Sequence, residues 1–462
     1  MVERRCRRMK NDKMITQFVE GSIPKQLAKF ATPLFLSSLL QMMYNMIDMI
    51  IVGHALGKTG LSAVAVGSDI SNFITFFIMG FSNAGQVIIS QYIGADQRDK
   101  LGKFIANMFS ALIISSVLMS VVCLFFRETF LGMMNTPTEA YGEALAYSTV
   151  CISGLIFISG YNMISAVMRG MGDSKHPFVF IAIASVLNIV LDILFVIGMK
   201  MGSAGAALAT VISQGVSFIL CLLFMYKRRH QLGFDIKLKD FISPDKGMLA
   251  SLAKLGFPMA IKSTSIHFSK LFVNSWINSY GVAVSAFAGI ANKISSVSNL
   301  ISNSLNTAGS SMVGQNIGAK RYERVPKICL TITAITMGIA ALLSVVFYAF
   351  PETIFGIFTT DPAVLIIGAE YLPIAVLIFF GSACRSPANA LVNGSGNYKV
   401  NFATAVFDGI ILRIGLSVLF GITFNMGYLG FWLGDALAGF TPMFIGIVFY
   451  LTGAWKEKKV SA

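Results

Sequence analysis

Twelve separate apolar stretches, each long enough to cross a hydrocarbon layer, leave this chain little choice of fold. A spanning helix needs about 20 residues. Runs of that order fall at 33–53, 61–85, 104–126, 144–166, 178–198 and 204–226, then at 256–279, 284–311, 328–350, 371–392, 401–424 and 429–454. Only 13% of the residues are charged and 55% are hydrophobic, against about 25% charged in soluble domains. The chain therefore reads as an all-α membrane protein, because in lipid each spanning segment must satisfy its backbone groups internally.

The net charge of +14 does not point to nucleic acid, since Lys and Arg collect in the inside loops of such proteins. With the N-terminus placed in the cytoplasm, 28 of the 36 Lys and Arg fall in inside segments and 3 in outside loops. Both termini are thus expected in the cytoplasm. The basic start (Arg4, Arg5, Arg7, Arg8, Lys10, Lys13) runs into a polar segment rather than a cleavable apolar leader. The six Cys sit singly, mostly in apolar runs, which favours buried thiols over disulfides or a metal site. The four His (His54, His176, His230, His267) show no ligand spacing.

The chain repeats itself at an offset of about 224 residues. Leu27-Ala-Lys-Phe-Ala-Thr-Pro33 matches Leu252-Ala-Lys-Leu-Gly-Phe-Pro258, and Gln91-Tyr-Ile-Gly-Ala95 matches Gln315-Asn-Ile-Gly-Ala319. Gly170-x-Gly172-x-x-Lys175 matches Gly394-x-Gly396-x-x-Lys399. The expected organisation is a tail and lead-in (1–30), a six-helix bundle (31–226), a basic linker (227–254), a second six-helix bundle (255–455) and a tail (456–462). Six spans per half is an even number, so both halves enter from one side, and the substrate path is expected between them.

Asp48 sits in an otherwise apolar run, and a carboxylate there costs about 2.5–3.5 kcal/mol on insertion scales unless it faces protein or water. Candidate partners are Asn188 and Asp192, one turn apart on the fifth span, and Thr210 on the sixth. All lie at compatible depth at 1.5 Å per residue. Two carboxylates, an amide oxygen and a hydroxyl are hard donors suited to a proton or Na⁺; the competing reading is a polar knot that locks three helices. The methionines around Asp48 (Met42, Met43, Met46, Met49) offer two readings, an adaptable contact surface of unbranched thioethers or ordinary packing between helices, of which packing is the one expected.

Tyr44-Asn45-x-x-Asp48-x-x-x-Val-Gly53, the repeated Gln-x-Ile-Gly-Ala, Asn188-x-x-x-Asp192 and Gly205-Ala-Ala-x-Ala-Thr210 resemble the multidrug and toxic compound extrusion (MATE) family. The likeness runs over about residues 20–455 and is greatest to the prokaryotic branch of the DNA-damage-inducible F protein. It implies an exporter of amphiphilic, often cationic compounds in the plasma membrane of a prokaryote, driven by inward H⁺ or Na⁺ with no other cofactor. It also implies two six-helix lobes around a V-shaped cleft. Asp48, Asn188, Asp192 and Thr210 match that branch's cation site, and Pro33 falls where the family's first helix bends. The partners expected are small amphiphilic substrates and lipid, with no nucleic acid, and the chain is expected to be a monomer.

The second half departs from this pattern. At the repeat offset Asn188 and Asp192 fall on Leu412 and Leu416, and Asp48 on Phe272 or Val273, so the cation site is not duplicated. The seventh span instead carries Ser263, His267, Lys270, Asn274 and Asn278 at helical steps. Candidate substrate contacts are Tyr44, Asn45, Asp69, His267, Lys270, Asn274, Lys293, Asn299 and Arg385. Asp69 aligns with Lys293, and Arg413 is expected to pair with Asp435 or Asp408 as a structural bridge, since an unpaired buried charge is costly. No metal cluster, nucleophile with base or phosphate loop suggests an enzyme. A flippase for lipid-linked precursors is the alternative that Lys270, Lys293 and Arg385 keep open.

Overall fold

The computed structural model describes residues 17–134, 136–229 and 237–456. The basic residues at positions 4–13, His230 and the last residues of the C-terminal tail lie outside the described residues. Among those described the regular structure is entirely helical.

Helix α1, Ile23–Gly94, is 72 residues long and carries the first two spans; it breaks at Gly57, whose φ of 65° and ψ of −154° suit a residue without a Cβ. It keeps helical dihedrals through Pro33. Next come α2 (Arg98–Phe125), the short α3 (Arg127–Met133), and α4 (Thr138–Ser153) with α5 (Leu155–Gly170), which form one span bent by 47°. The first half ends with α6 (Lys175–Asp192), prolonged by a π-helical segment at Ile193–Gly198, and α7 (Gly202–Arg228).

The second half runs through α8 (Leu238–Ile242), α9 (Lys246–Asn278), α10 (Val282–Gly318), α11 (Val325–Ala349), α12 (Pro351–Gly356) and α13 (Pro362–Ser395). Its eleventh span combines α14 (Tyr398–Val406) and α15 (Leu412–Val418) with π segments at Phe407–Ile411 and Leu419–Thr423, and its twelfth combines α16 (Gly427–Ala438) and α17 (Thr441–Thr452). Length and hydropathy alone pick out eight spans, or nine with the bent pair. The full twelve, in two six-helix bundles, emerge because α1 holds two spans and because α9 and α10 are too rich in Lys, Ser and Asn to pass a hydropathy test.

The helices group into two compact units, one of Thr32–Gly256 and one of Phe18–Ala31 with the chain from Phe257 onward. The lead-in belongs to the second unit for identifiable reasons. Phe18 N–H donates to Gln315 Oε1 at 2.9 Å, and Asn316 Nδ2 and Arg324 Nη2 donate to Phe18 O. Phe18 is buried against Phe30, with ring centroids 5.0 Å apart. The linker belongs to the first unit: Lys103 Nζ reaches Asp245 Oδ2 at 2.7 Å, Asp245 N–H donates to Asn107 Oδ1, and Ser110 Oγ donates to Phe241 O. Lys103 and the N–H of Met248 hold the Asp245 carboxyl below the usual carboxylate range.

The sequence repeat is a repeat of structure. A Cβ on Gly170 would lie 2.8 Å from Gln86 O, and one on Gly394 2.8 Å from Ser310 O. Gly85 packs on Met108 as Gly309 packs on Ile332. The Gln-x-Ile-Gly-Ala ends close alike, with Asp96 and Lys320 at φ of 56° and 59°. The second unit's core is aromatic: Phe287, Tyr371 and Trp432 meet edge to face with centroids 5.0–5.7 Å apart, a geometry that matches ring quadrupoles.

Beyond Val406 the repeat slips by one residue. Lys200 and Asn425 both have φ of 54°, and Gly202 and Gly427 have φ of 65° and 62°. Gly205 packs on Phe195 as Gly430 packs on Phe420. Each pair stands one residue further apart than Gly170 and Gly394. The cause is the π segment at Phe407–Ile411, which has no counterpart in α6 and accommodates one extra residue. A backbone carbonyl at this segment, that of Gly409, accepts a hydrogen bond from Ser269 Oγ on α9. Asn188 and Asp192 therefore correspond to Arg413 and Ser417, which corrects the expectation of Leu412 and Leu416.

Candidate cation site and a charged pocket

In the first unit α1 and α6 bring Asp48 and Asp192 together, so that their carboxyl groups interact directly. Asp48 is 8% exposed, Asn188 1% and Asp192 0%. Helical spacing places Asn188 one turn before Asp192. Both oxygens of Asp192, Asp48 Oδ1 and both side-chain polar atoms of Asn188 are buried with no hydrogen-bond partner of their own among the described residues. Native proteins rarely leave such atoms unserved. Two facing carboxylates in a dry site cannot both stay charged without a counter-charge, so the arrangement suits a shared proton or a small cation.

Thr210 is half-buried on α7, which packs along α6. The start of α7 is fixed by Glu143: Ser203 N–H donates to Glu143 Oε2 at 2.7 Å, and the Ser203 hydroxyl donates to Glu143 O. Tyr44, one turn before Asp48, is buried and accepts a hydrogen bond from Gln214 Nε2 at 3.3 Å. Asn45 and Asp69 are exposed. Met43, Met46 and Met49 are exposed as well rather than packed between helices, because they lie off the face that carries Tyr44 and Asp48.

Two groups beside Asp48 were not singled out from sequence. Tyr147 and Cys151, a turn apart on α4, are buried and within electrostatic reach of Asp48. The Tyr147 hydroxyl lies 3.1 Å from Ser68 Oγ, and Gly67 makes room for the ring, since a Cβ there would come within 2.4 Å of it. Their i, i+4 spacing was the available signal, but it is shared by many packing pairs.

In the second unit Arg413 is almost fully buried and holds both candidate carboxylates, donating from Nη2 to Asp408 Oδ1 at 2.9 Å and from Nη1 to Asp435 Oδ1. Arg385 Nη2 lies 3.4 Å from the same Asp408 oxygen. Lys262 Nζ donates to Asn389 Oδ1 at 2.5 Å. Lys270, Asn274, Asn292, Ser295 and Asp435 give the polar wall of a partly open pocket whose apolar wall includes Tyr371 and Trp432. His267 is exposed on α9, and Asn299 accepts a hydrogen bond from Ser382. Lys293 is exposed, and neither it nor Asp69 forms an ion pair among the described residues.

Known proteins resemble the chain over nearly its whole length. The MatE family profile matches residues 33–194 and again 258–435, one match to each half. The probable multidrug resistance protein YpnP of Bacillus subtilis is 30% identical over 96% of this chain and 98% of its own. The probable multidrug resistance protein YoeA of the same organism is 27% identical over 95% and 96%. A solved structure described as the outward-facing conformation of a multidrug resistance MATE family transporter superposes with a TM-score of 0.88 at 22% identity, covering 96% of this chain and 99% of that one.

Proposed function

This chain belongs to the MatE family, and on that premise we propose that it is a secondary active multidrug exporter. It extrudes amphiphilic, often cationic compounds in exchange for H⁺ or Na⁺ by alternating access. The observation that carries this reading is the pair of buried, facing carboxylates, Asp48 and Asp192, with the unserved amide of Asn188 beside them. Thr210 adds a neutral oxygen ligand. In this reading the exporter works as a monomer in the plasma membrane with both termini in the cytoplasm; the distribution of Lys and Arg supports that orientation.

An ion drives a transport cycle only through a difference in its affinity for two conformations, and that difference vanishes with its ligands. The test is ethidium export by protein in liposomes with Na⁺ and pH gradients imposed separately. Asp48→Asn and Asp192→Asn, which preserve shape, are expected to abolish gradient-driven export while leaving ethidium binding in place. Thr210→Ala is expected to weaken coupling only in part. Near-normal export by well-folded Asp48→Asn and Asp192→Asn proteins would overturn the assignment.

A further inference from the structure

The pocket of the second unit borders the place that the repeat gives to Asp48 in the first, with its charge inverted. By the register that matches Pro33 to Pro258, Asp48 corresponds to Val273, a buried residue that lines the pocket. Asp192 corresponds to Ser417, and Asn188 to Arg413. Both carboxylates of the first unit's site are thus gone, and cationic side chains stand around the vacated place.

Among the described residues, Lys262, Lys270, Arg385 and Arg413 share one neighbourhood with only Asp408 and Asp435. Four cationic side chains against two carboxylates leave a formal excess of two positive charges. Arg413 is committed to both carboxylates, and Arg385 shares Asp408 with it. Among the described residues Lys262 has only a neutral amide oxygen as a hydrogen-bond partner. Lys270, on the pocket wall, has no hydrogen bond or ion pair among the described residues. Arg385 Nε is also buried without an acceptor. Asp435 shares the wall but is neutralised by its bond to Arg413. A cationic cluster in which Lys262 and Arg413 are buried, Arg385 and Lys270 are part-buried, and donors are left unmet suits an anion.

We propose that this pocket binds the anionic group, carboxylate or phosphate, of an amphiphilic compound, with Lys270 as its counter-ion. A neutral donor such as Asn274 or Asn292 serves the remaining oxygen. The substrate class of the exporter then includes amphiphilic anions and zwitterions, and not cations alone. This rests on the transport reading only in taking the occupant as cargo. Its test needs no gradient, so a failure of ion coupling would leave it standing.

The experiment measures naphthaleneacetate and its neutral isostere naphthaleneacetamide binding to the full-length protein in phosphatidylcholine nanodiscs, by calorimetry and by fluorescence of the three tryptophans. A charge-assisted contact of this kind predicts about tenfold tighter binding of the carboxylate. Lys270→Gln is expected to erase that preference without changing the affinity for the amide, and Lys270→Arg to retain it. Equal binding of the two probes by the unaltered protein, or loss of the preference in a well-folded Lys270→Arg protein, would overturn the proposal. Competition by phosphatidylglycerol added to the nanodiscs assigns the anion to a lipid headgroup, and failure to compete assigns it to a soluble compound.

Discussion

Asn188 of the first unit and Arg413 of the second hold equivalent places, although a constant repeat offset would pair Asn188 with Leu412. The π segment at Phe407–Ile411 supplies the extra residue. The substitution turns a neutral amide with two unserved atoms into a guanidinium that bridges Asp408 and Asp435. The second unit thereby carries a tethered cation where the first carries a neutral amide.

A first prediction concerns that tether. Removing one partner of a buried ion pair strands the other charges and costs about 3–5 kcal/mol. Arg413→Met is therefore expected to lower thermal stability in detergent sharply. Arg413→Met combined with Asp408→Asn and Asp435→Asn removes the stranded charges and is expected to recover most of the loss. A triple variant no more stable than Arg413→Met alone would contradict the bridge.

The π segment makes a prediction about chain length. A π turn is an α-helix with one residue inserted, so deleting Ile410, which is exposed, lets the span relax to an α-helix with both flanks kept in place. Deleting Val186, exposed at the corresponding part of α6, shifts one side of a regular helix by about 100°. The Ile410 deletion is expected to remain monodisperse in size-exclusion chromatography and to lose little thermal stability, and the Val186 deletion to aggregate. The reverse order would remove the reason given for the slip.

The linker clamp predicts a pH dependence with a definite sign. Because the Asp245 carboxyl is held below its ordinary value of about 3.9, the Lys103–Asp245 contact supports the folded linker fully above that value. Its support is lost as pH falls through the lowered one. Hydrogen exchange around Asp245, corrected for intrinsic rates, is expected to be unchanged from pH 8 to 5 and to rise only below about 4. At pH 8 Lys103→Met is expected to raise tryptic cleavage at Lys237 and Lys239 by about two- to fivefold, the scale of a half-exposed ion pair. Unaltered cleavage would show that the clamp does not hold the linker.

The sequence by itself determined the membrane-spanning class, the twelve spans, the repeat and the faces that carry Asp48, Asn188 and Asp192. Hydrophobic length and helical periodicity are properties of each segment alone, so they can be read without knowing its neighbours. Only the tertiary structure decided that Asp48 meets Asp192, that Tyr147 and Cys151 come within electrostatic reach of Asp48, and that Arg413 takes both of its candidate carboxylates. It also assigned residues 18–31 to the second unit and the linker to the first. Periodicity says which face of a helix a residue occupies, never which helix comes to that face. The register slip is the clearest case: an extra residue forms a π turn where packing can serve the disturbed backbone, and here Ser269, more than a hundred residues away in the chain, takes the Gly409 carbonyl.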